Sequence, residues 1–471
     1  MSHVLIIGNG PAAHRLVERL RVHGHDGPIT VLGGEDRPAY NRVLLASVLD
    51  GTLSAAAVTL PESRAEVRLG VTATAVDRAR RLVRTDGGVV HRYDELVLAT
   101  GARATAPGVP GVLDADGALS PGVTPLRTLD DCARIPDGAR DAVVLGGGVL
   151  GVESARALHA RGLDVALVHP QAHPMDRQLD AAGGALLGEH LRGTGLRTRF
   201  GRRAARYRPG KLVLDDGEAL AADVLVLCTG VTPEAGLAAD AGLAVGRGVL
   251  VDDHLTTSDP HVHAIGDCAE HDGRVPGLIA PAWEQAEVLA RRLTGGTAHY
   301  RGVGTVTRLK ARGIELSAMG SAALLDGAEP GVELVVVSDP ARGRYAKLAV
   351  RDERVGGAVL IGFPQATATI AQLHDRNLPL PADRLGLLLG RSPAAATAPA
   401  DLPDDAVVCR CNNVTKKSLV RAWHRGARDL GGLARATRAT TGCGGCADEV
   451  RGLCGALTTG DGTNTEQEGA A

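Results

Sequence analysis

Aromatic side chains are scarce: two Phe, two Trp and five Tyr, 2% of the 471 residues. Few rings are available to stack on bases, which argues against single-stranded nucleic-acid recognition. It also leaves the core to Ala, Val and Leu. Net charge is slight, at −2, so no global field draws the chain to nucleic acid or to an anionic membrane. No apolar run approaches the roughly 20 residues that a membrane-spanning helix needs. A basic n-region is missing before Val4-Leu5-Ile6-Ile7, so that run reads as a buried strand and not as a signal peptide. Without an export signal, the expected location is a reducing cytoplasm. Eight cysteines there serve as metal ligands or isolated thiols, not as a disulfide framework. What is present suits a globular chain: 44% hydrophobic and 23% charged residues exclude general disorder. At about 150 residues per domain, the length implies roughly three domains.

Up to about Leu293, short β-branched runs alternate with Ala/Leu/Arg stretches of helical spacing. The runs fall at residues 4–7, 29–32, 96–99, 142–145, 165–168 and 224–228. Such alternation predicts βαβ units and parallel sheets. From about Tyr300 to Pro381 the pattern turns to strands near 332–337 and 345–350, then a helix near 366–374. Residues 391–405, RSPAAATAPADLPDD, read as a linker. A cysteine-bearing segment follows, from Ala406 to about Leu457, and the small polar residues beyond it predict a disordered tail.

A strand, a glycine-rich turn and a helix occur twice. In the first copy, the run 4–7 leads into Gly8-Asn9-Gly10-Pro11-Ala12-Ala13 and a helix over 14–22. This is G-x-G-x-x-A in its strand–turn–helix context. Gly8 permits the tight turn, Gly10 lets a pyrophosphate approach the backbone, and Ala13 lets helix and strand pack closely. The helix N-terminus offers N–H groups to the phosphates. Glu35, after the second strand, is placed to bind a ribose. In the second copy Gly146, Gly148 and Gly151 fill all three glycine roles. The strand that follows ends at His169, not at an acid. A histidine removes the repulsion of a 2′-phosphate and tilts the reading toward NADPH, with NADH still open. Two dinucleotide folds point to a flavin in one and a nicotinamide in the other.

Cys409-Arg410-Cys411 and Cys443-Gly444-Gly445-Cys446 form C-x-C and C-x2-C, separated by 31 residues. Four thiolates suit tetrahedral zinc or an iron–sulfur cluster. Glycines at 442, 444 and 445 let the backbone wrap an inorganic core and turn N–H groups toward sulfur. Between Ala406 and Cys454 nine Lys/Arg stand against three Asp/Glu, cations that would stabilise an anionic centre or steer an acidic partner. An ordinary solvated basic face is the plainer alternative. Cys454 is a fifth cysteine, read as structural.

Three further segments carry a family resemblance. Residues 93–102 (YDELVLATGA), 227–233 (LCTGVTP) and 257–267 (TSDPHVHAIGD) resemble, in order, two A-T-G motifs and the distal FAD motif of flavin-dependent pyridine nucleotide oxidoreductases. The resemblance covers about residues 1–385. It implies FAD contacts at Ala99, Thr100, Gly101, Gly266 and Asp267, with Asp267 on the ribityl chain, and places Gly230 in the second motif copy. Residues 40–50, YNRVLLASVLD, lack the redox C-x4-C of the disulfide reductases, so a dithiol relay is not expected. Residues 37–45 (RPAYNRVLL) resemble the nitrite reductase large subunit and the electron-transfer subunit of assimilatory nitrate reductase. Arg42 would then sit near the flavin, Glu153 near the nicotinamide, and Trp283 by the flavin pyrimidine. A surface arginine, a buried helix-start carboxylate and core packing are the plainer readings of these three. The cysteine segment is similar to the bacterioferritin-associated ferredoxin-like domain, which implies a [2Fe-2S] cluster on Cys409, Cys411, Cys443 and Cys446.

The implied fold is α/β. It has two Rossmann-like domains, an FAD domain (1–108 and 236–298) with an NAD(P) domain (109–235) inserted. An α+β interface domain (299–390), the linker (391–405), a small helical [2Fe-2S] domain (406–457) and the tail (458–471) follow. The expected activity is electron transfer from NAD(P)H through FAD and the cluster to a partner nitrate or nitrite reductase. With 25 residues after Cys446, siroheme domains are absent and the chain is not expected to reduce nitrite itself. An NAD(P)H:ferredoxin or rubredoxin reductase and a non-enzymatic redox sensor are the rival readings. Oligomeric state is left open.

Overall fold

The strand Val4–Ile7 is buried at every position and pairs on both edges, with Ile29–Gly33 and with Glu95–Leu98, parallel in each case. Continuous Val/Ile/Leu runs suit strands covered on both faces. In this computed structural model four such strands and an exposed edge strand, Glu66–Leu69, form one sheet, ordered Val262–Ala264, Glu95–Leu98, Val4–Ile7, Ile29–Gly33, Glu66–Leu69. The structure describes residues 2–302, 304–311, 313–327, 329–391, 400–409, 412, 414–441 and 446–465, with side chains to residue 458. The helix Pro11–Val22 buries Leu16, Val17 and Leu20 against Ala286 and Leu289 of the helix Ile279–Leu293. Glu287 pins the two helices, receiving Arg19, His23 and Arg291.

A second parallel sheet repeats the plan, ordered Arg197–Phe200, Asp164–His169, Asp141–Leu145, Val224–Leu227, Val123–Pro125. The two units are joined by a short antiparallel pair, Ala102–Ala104 with Val231–Pro233. A third sheet is antiparallel throughout and includes Leu316–Gly320, Arg344–Arg351 and Arg354–Ile361. Its helix Pro364–Asp375 covers one face, and the other packs against the second unit through Leu316, Val359 and Ile361. Two buried ion pairs cross that boundary. Glu153 receives Lys310, and Asp180 receives Lys347 together with the Tyr345 hydroxyl.

The cysteine-bearing segment holds a two-stranded pair (Val407–Cys409, Val414–Thr415) and the helices Lys416–His424, Leu430–Thr437 and Ala447–Thr465. The last helix corrects the expected tail, because it continues past residue 457 to Thr465. Val450 and Leu453 anchor its first turns in a core, and extending an existing helix is far easier than starting one. Residues 466–471 lie outside the described residues. At the linker's end, Lys416 folds residues 400–402 back onto this segment by donating to the carbonyls of Ala400 and Leu402.

Candidate functional site: two dinucleotide turns and a cysteine segment

The two glycine turns are built alike. A Cβ on Gly8, at φ +108°, would lie 2.1 Å from the Ala99 carbonyl oxygen; one on Gly146, at φ +113°, would lie 2.3 Å from that of Cys228. Each turn is thus wedged against the end of a neighbouring strand and admits only glycine. At the next glycine the situation reverses: nothing lies within 4 Å of a Cβ on Gly10 or Gly148. That is the open cradle a pyrophosphate requires. Neither of the helices that follow has a side-chain cap at its N-terminus, so their first N–H groups are left for an anion. Ala13 and Gly151 play the packing role, Ala13 wholly buried and Gly151 so close to the Gly146 carbonyl that a Cβ would sit 1.8 Å from it.

A cleft of about 610 Å³ opens over the first turn. Gly8, Gly10, Glu35 and Arg42 line it, as do Ala99, Thr100, Gly101, Gly266 and Asp267. Leu150 of the second unit and Ile279 and Ala282 at the head of the helix Ile279–Leu293 complete the wall. A polar chain runs round this wall. Tyr40 donates to Glu35 at 2.8 Å, and Arg42 donates to Glu35, to the Tyr40 oxygen (2.8 Å) and to the Arg127 carbonyl (3.1 Å). Arg127 in turn donates to Asp267 at 2.5 Å and to the Ala102 carbonyl at 3.1 Å. Burial pushes the Tyr40 phenol up, so it stays a donor to Glu35. Both expected cofactor carboxylates are therefore oriented by guanidinium groups. Sequence reasoning missed Arg127. Its nearest signal is the Thr128–Asp131 capping box, which marks a helix start and says nothing of the residue before it.

Gly230 lies at the joint between the units, where its carbonyl accepts from the Thr105 amide at 3.0 Å. His169 is engaged on both sides of its ring. Its Nδ1 accepts from the Gly147 amide at 3.0 Å, and its Nε2 faces Asp176 Oδ1 at 2.9 Å. With both ring nitrogens engaged, His169 presents no free donor to a 2′-phosphate, and a carboxylate stands beside it. Trp283 stands on the same helix as Ile279 and Ala282. It lines a separate cleft facing the cysteine segment, while Ala282 and Ile279 face the dinucleotide cleft. One helical residue turns the side chain by roughly 100°. Glu153 is 3% exposed and accepts from both the amide and the ammonium of Lys310. No sequence spacing connects residues 157 positions apart.

Cys409 and Cys446 are buried in one core with Val408, Leu419 and Trp423; Cys411 and Cys443 lie outside the described residues. Asn412, next to Cys411, donates to the Arg438 carbonyl at 2.7 Å and to Thr441 at 3.3 Å, which draws the two cysteine stretches together. A four-thiolate centre fits this arrangement. The scattered thiols are of another kind. Burial pushes Cys132 and Cys228 up to about 12, and it raises Cys268 and Cys454 too, so none of these four is a thiolate at neutral pH.

Residues 2–286 match the pyridine nucleotide-disulphide oxidoreductase family, 306–375 the rubredoxin NAD+ reductase C-terminal domain, and 407–454 the BFD-like [2Fe-2S] binding domain. The chain belongs to the pyridine nucleotide-disulphide oxidoreductase family. It is an FAD-dependent NAD(P)H oxidoreductase with an appended [2Fe-2S] domain. It is 33% identical over 463 residues to nitrite reductase [NAD(P)H] of Bacillus subtilis (strain 168), covering 94% of this chain and 56% of that one. It is 30% identical over 478 residues to the assimilatory nitrate reductase electron transfer subunit of the same organism, covering 98% and 60%. Among solved structures, a ferredoxin reductase from Rhodopseudomonas palustris superimposes with a TM-score of 0.74 at 26% identity, covering 84% of this chain and 100% of that one. The chain spans little more than half the length of the two curated relatives.

Proposed function

We propose that this chain takes electrons from NAD(P)H and hands them to a protein acceptor in nitrate assimilation, a nitrate reductase catalytic subunit or a nitrite reductase. When bound, NAD(P)H and FAD supply two-electron hydride chemistry and the [2Fe-2S] cluster carries single electrons, so the three together convert pairs into single deliveries. The observation that carries the reading is the union, in one chain, of two open glycine cradles and a four-cysteine segment. Alignment over 98% of the chain with a nitrate reductase electron transfer subunit supports the choice of acceptor.

In this reading Gly8 and Gly10 seat the FAD pyrophosphate, Glu35 the adenosine ribose, and Asp267 the ribityl chain. Arg42 and Arg127 hold those carboxylates in place. Gly146, Gly148 and Gly151 seat the nicotinamide dinucleotide, and Glu153, fixed by Lys310, orients the ring. Cys409, Cys411, Cys443 and Cys446 hold the cluster. The match of residues 306–375 to a rubredoxin reductase domain favours a second reading, in which the acceptor is a small redox protein.

The test is Cys443→Ser in folded, FAD-bound protein. Hydride transfer to an artificial two-electron acceptor should persist, and delivery to purified nitrate reductase catalytic subunit or nitrite reductase should vanish. Loss of both activities together refutes the order of the relay. Delivery to rubredoxin or ferredoxin alone selects the second reading.

A further inference from the structure

The cysteine segment keeps its apolar core to itself. Among the described residues, its buried cluster, with the partly buried side chains packed on it, draws on residues 402–457. Among the described residues, hydrogen bonds join it to the first dinucleotide unit. Asn41 Nδ2 donates to Asn412 Oδ1 at 3.2 Å. Arg438 crosses the same boundary, donating to the carbonyl of Ala57 at 2.6 Å and to that of Thr59. The two contacts are coupled on both sides. Asn412 donates to the carbonyl of Arg438 itself at 2.7 Å, and the Asn41 amide donates to the Val58 carbonyl at 2.8 Å, inside the stretch that Arg438 grips.

The placement of these residues is specific. Asn41 sits between Tyr40 and Arg42, both on the wall of the dinucleotide cleft. Asn412 follows the expected ligand Cys411. Arg438 and Thr440 hold φ of +65° and +68°, a left-handed backbone that non-glycine residues keep only where their surroundings impose it. Burial pulls the Arg438 guanidinium below its ordinary pKa, and the carbonyls of Ala57 and Thr59 accept its N–H groups. A cleft of about 720 Å³ opens beside the contact, with Asn41, Asn412 and Arg438 on its wall. The contact is narrow, polar and flanked by solvent.

We infer that the Asn41–Asn412 bridge and the Arg438 clamp form a seat that holds the cluster-bearing segment against the flavin cleft. Asn41 and Arg438 are positioning residues for electron transfer between the two centres, an inference that rests on the relay proposed above. Interfaces this polar hold two units in register without fusing them.

Two variants of the full-length holoenzyme test it. Asn41→Asp keeps the oxygen that accepts from the Val43 amide and removes the donor to Asn412. Arg438→Ala removes the clamp. In both, FAD and iron content should match the wild type, and NAD(P)H should bleach the flavin at the wild-type rate in stopped flow. Cluster reduction should slow by roughly tenfold or more, as small misplacements of reacting partners do. Deuterium uptake should rise in peptides covering 54–60 and 436–441, and Arg438→Lys should restore part of both effects. Cluster reduction at the wild-type rate, or unchanged uptake, overturns the seat. So does loss of iron in both variants, which would show a scaffold role only. If NAD(P)H fails to reduce the cluster in the wild type, the relay falls instead.

Discussion

Glu153 Oε1 accepts two hydrogen bonds from one residue, from the Lys310 amide and from its ammonium, each at 2.8 Å. The carboxylate stands on the helix that follows the second glycine turn, and the lysine lies between two strands of the antiparallel sheet. The pair ties cofactor-binding unit to sheet at a point where water does not compete. Lys310→Met leaves the carboxylate buried without its cation, with only the amide of residue 310 as donor, and should cost about 3–5 kcal/mol in urea unfolding. Pairing it with Glu153→Leu should recover most of that loss, since an apolar pair of similar volume is often neutral. Equal losses in the single and double variants would dismiss the coupling. If Glu153 also orients the nicotinamide, the double variant regains stability but not turnover.

The two kinds of glycine in each turn should part company on substitution. Gly146→Ala drives a Cβ into the Cys228 carbonyl at a φ that alanine resists, so the melting temperature should drop by several degrees. Gly10→Ala meets no protein atom, and its φ of −93° is open to any residue. Its stability should stay within about 1 kcal/mol of the wild type, while FAD occupancy falls because the methyl fills the cradle. An intact flavin content in Gly10→Ala would remove the pyrophosphate from this turn.

Glu287 sets an acid limit. Burial raises its carboxyl, but Arg19, His23 and Arg291 outweigh that, and its pKa lies below the usual carboxylate range. A depressed native value gives stability that is complete above the unfolded pKa of about 4.3 and is lost as pH falls through the native one. Glu287→Gln should therefore cost about 1.5–3 kcal/mol at pH 7. The gap from wild type should close in progressively stronger acid. Parallel stability curves at pH 7 and pH 3 would contradict this origin.

The isolated thiols should be inert. Cys132 and Cys228 are pushed up to about 12 by burial, and Cys268 is raised by the same cause. In folded protein at pH 8, mass spectrometry after Ellman's reagent should find none of the three modified. Rapid labelling of Cys132 or Cys228 would reopen a thiol role for this flavoprotein.

The strands were the most legible part of the sequence. The run 4–7 became Val4–Ile7, 142–145 became Asp141–Leu145 and 345–350 became Arg344–Arg351. A strand buried on both faces leaves an apolar run that little else explains. The glycine turns were legible because sterics leave no alternative residue at Gly8 or Gly146. Partnerships between distant side chains were not. Arg127 with Asp267, Lys310 with Glu153, and Asn412 with Asn41 are joined only by the fold. The partners of His169, Gly147 and Asp176, come from a turn and a loop that no periodicity marks.

That, among the described residues, the cysteine segment builds its own apolar interior bears on how the molecule melts. Cooperative unfolding spreads through packed hydrophobic contact, and a few hydrogen bonds transmit it poorly. A calorimetric trace should then resolve a separate endotherm for residues 402–457, and a substitution on either side would shift its own peak and leave the other where it stood.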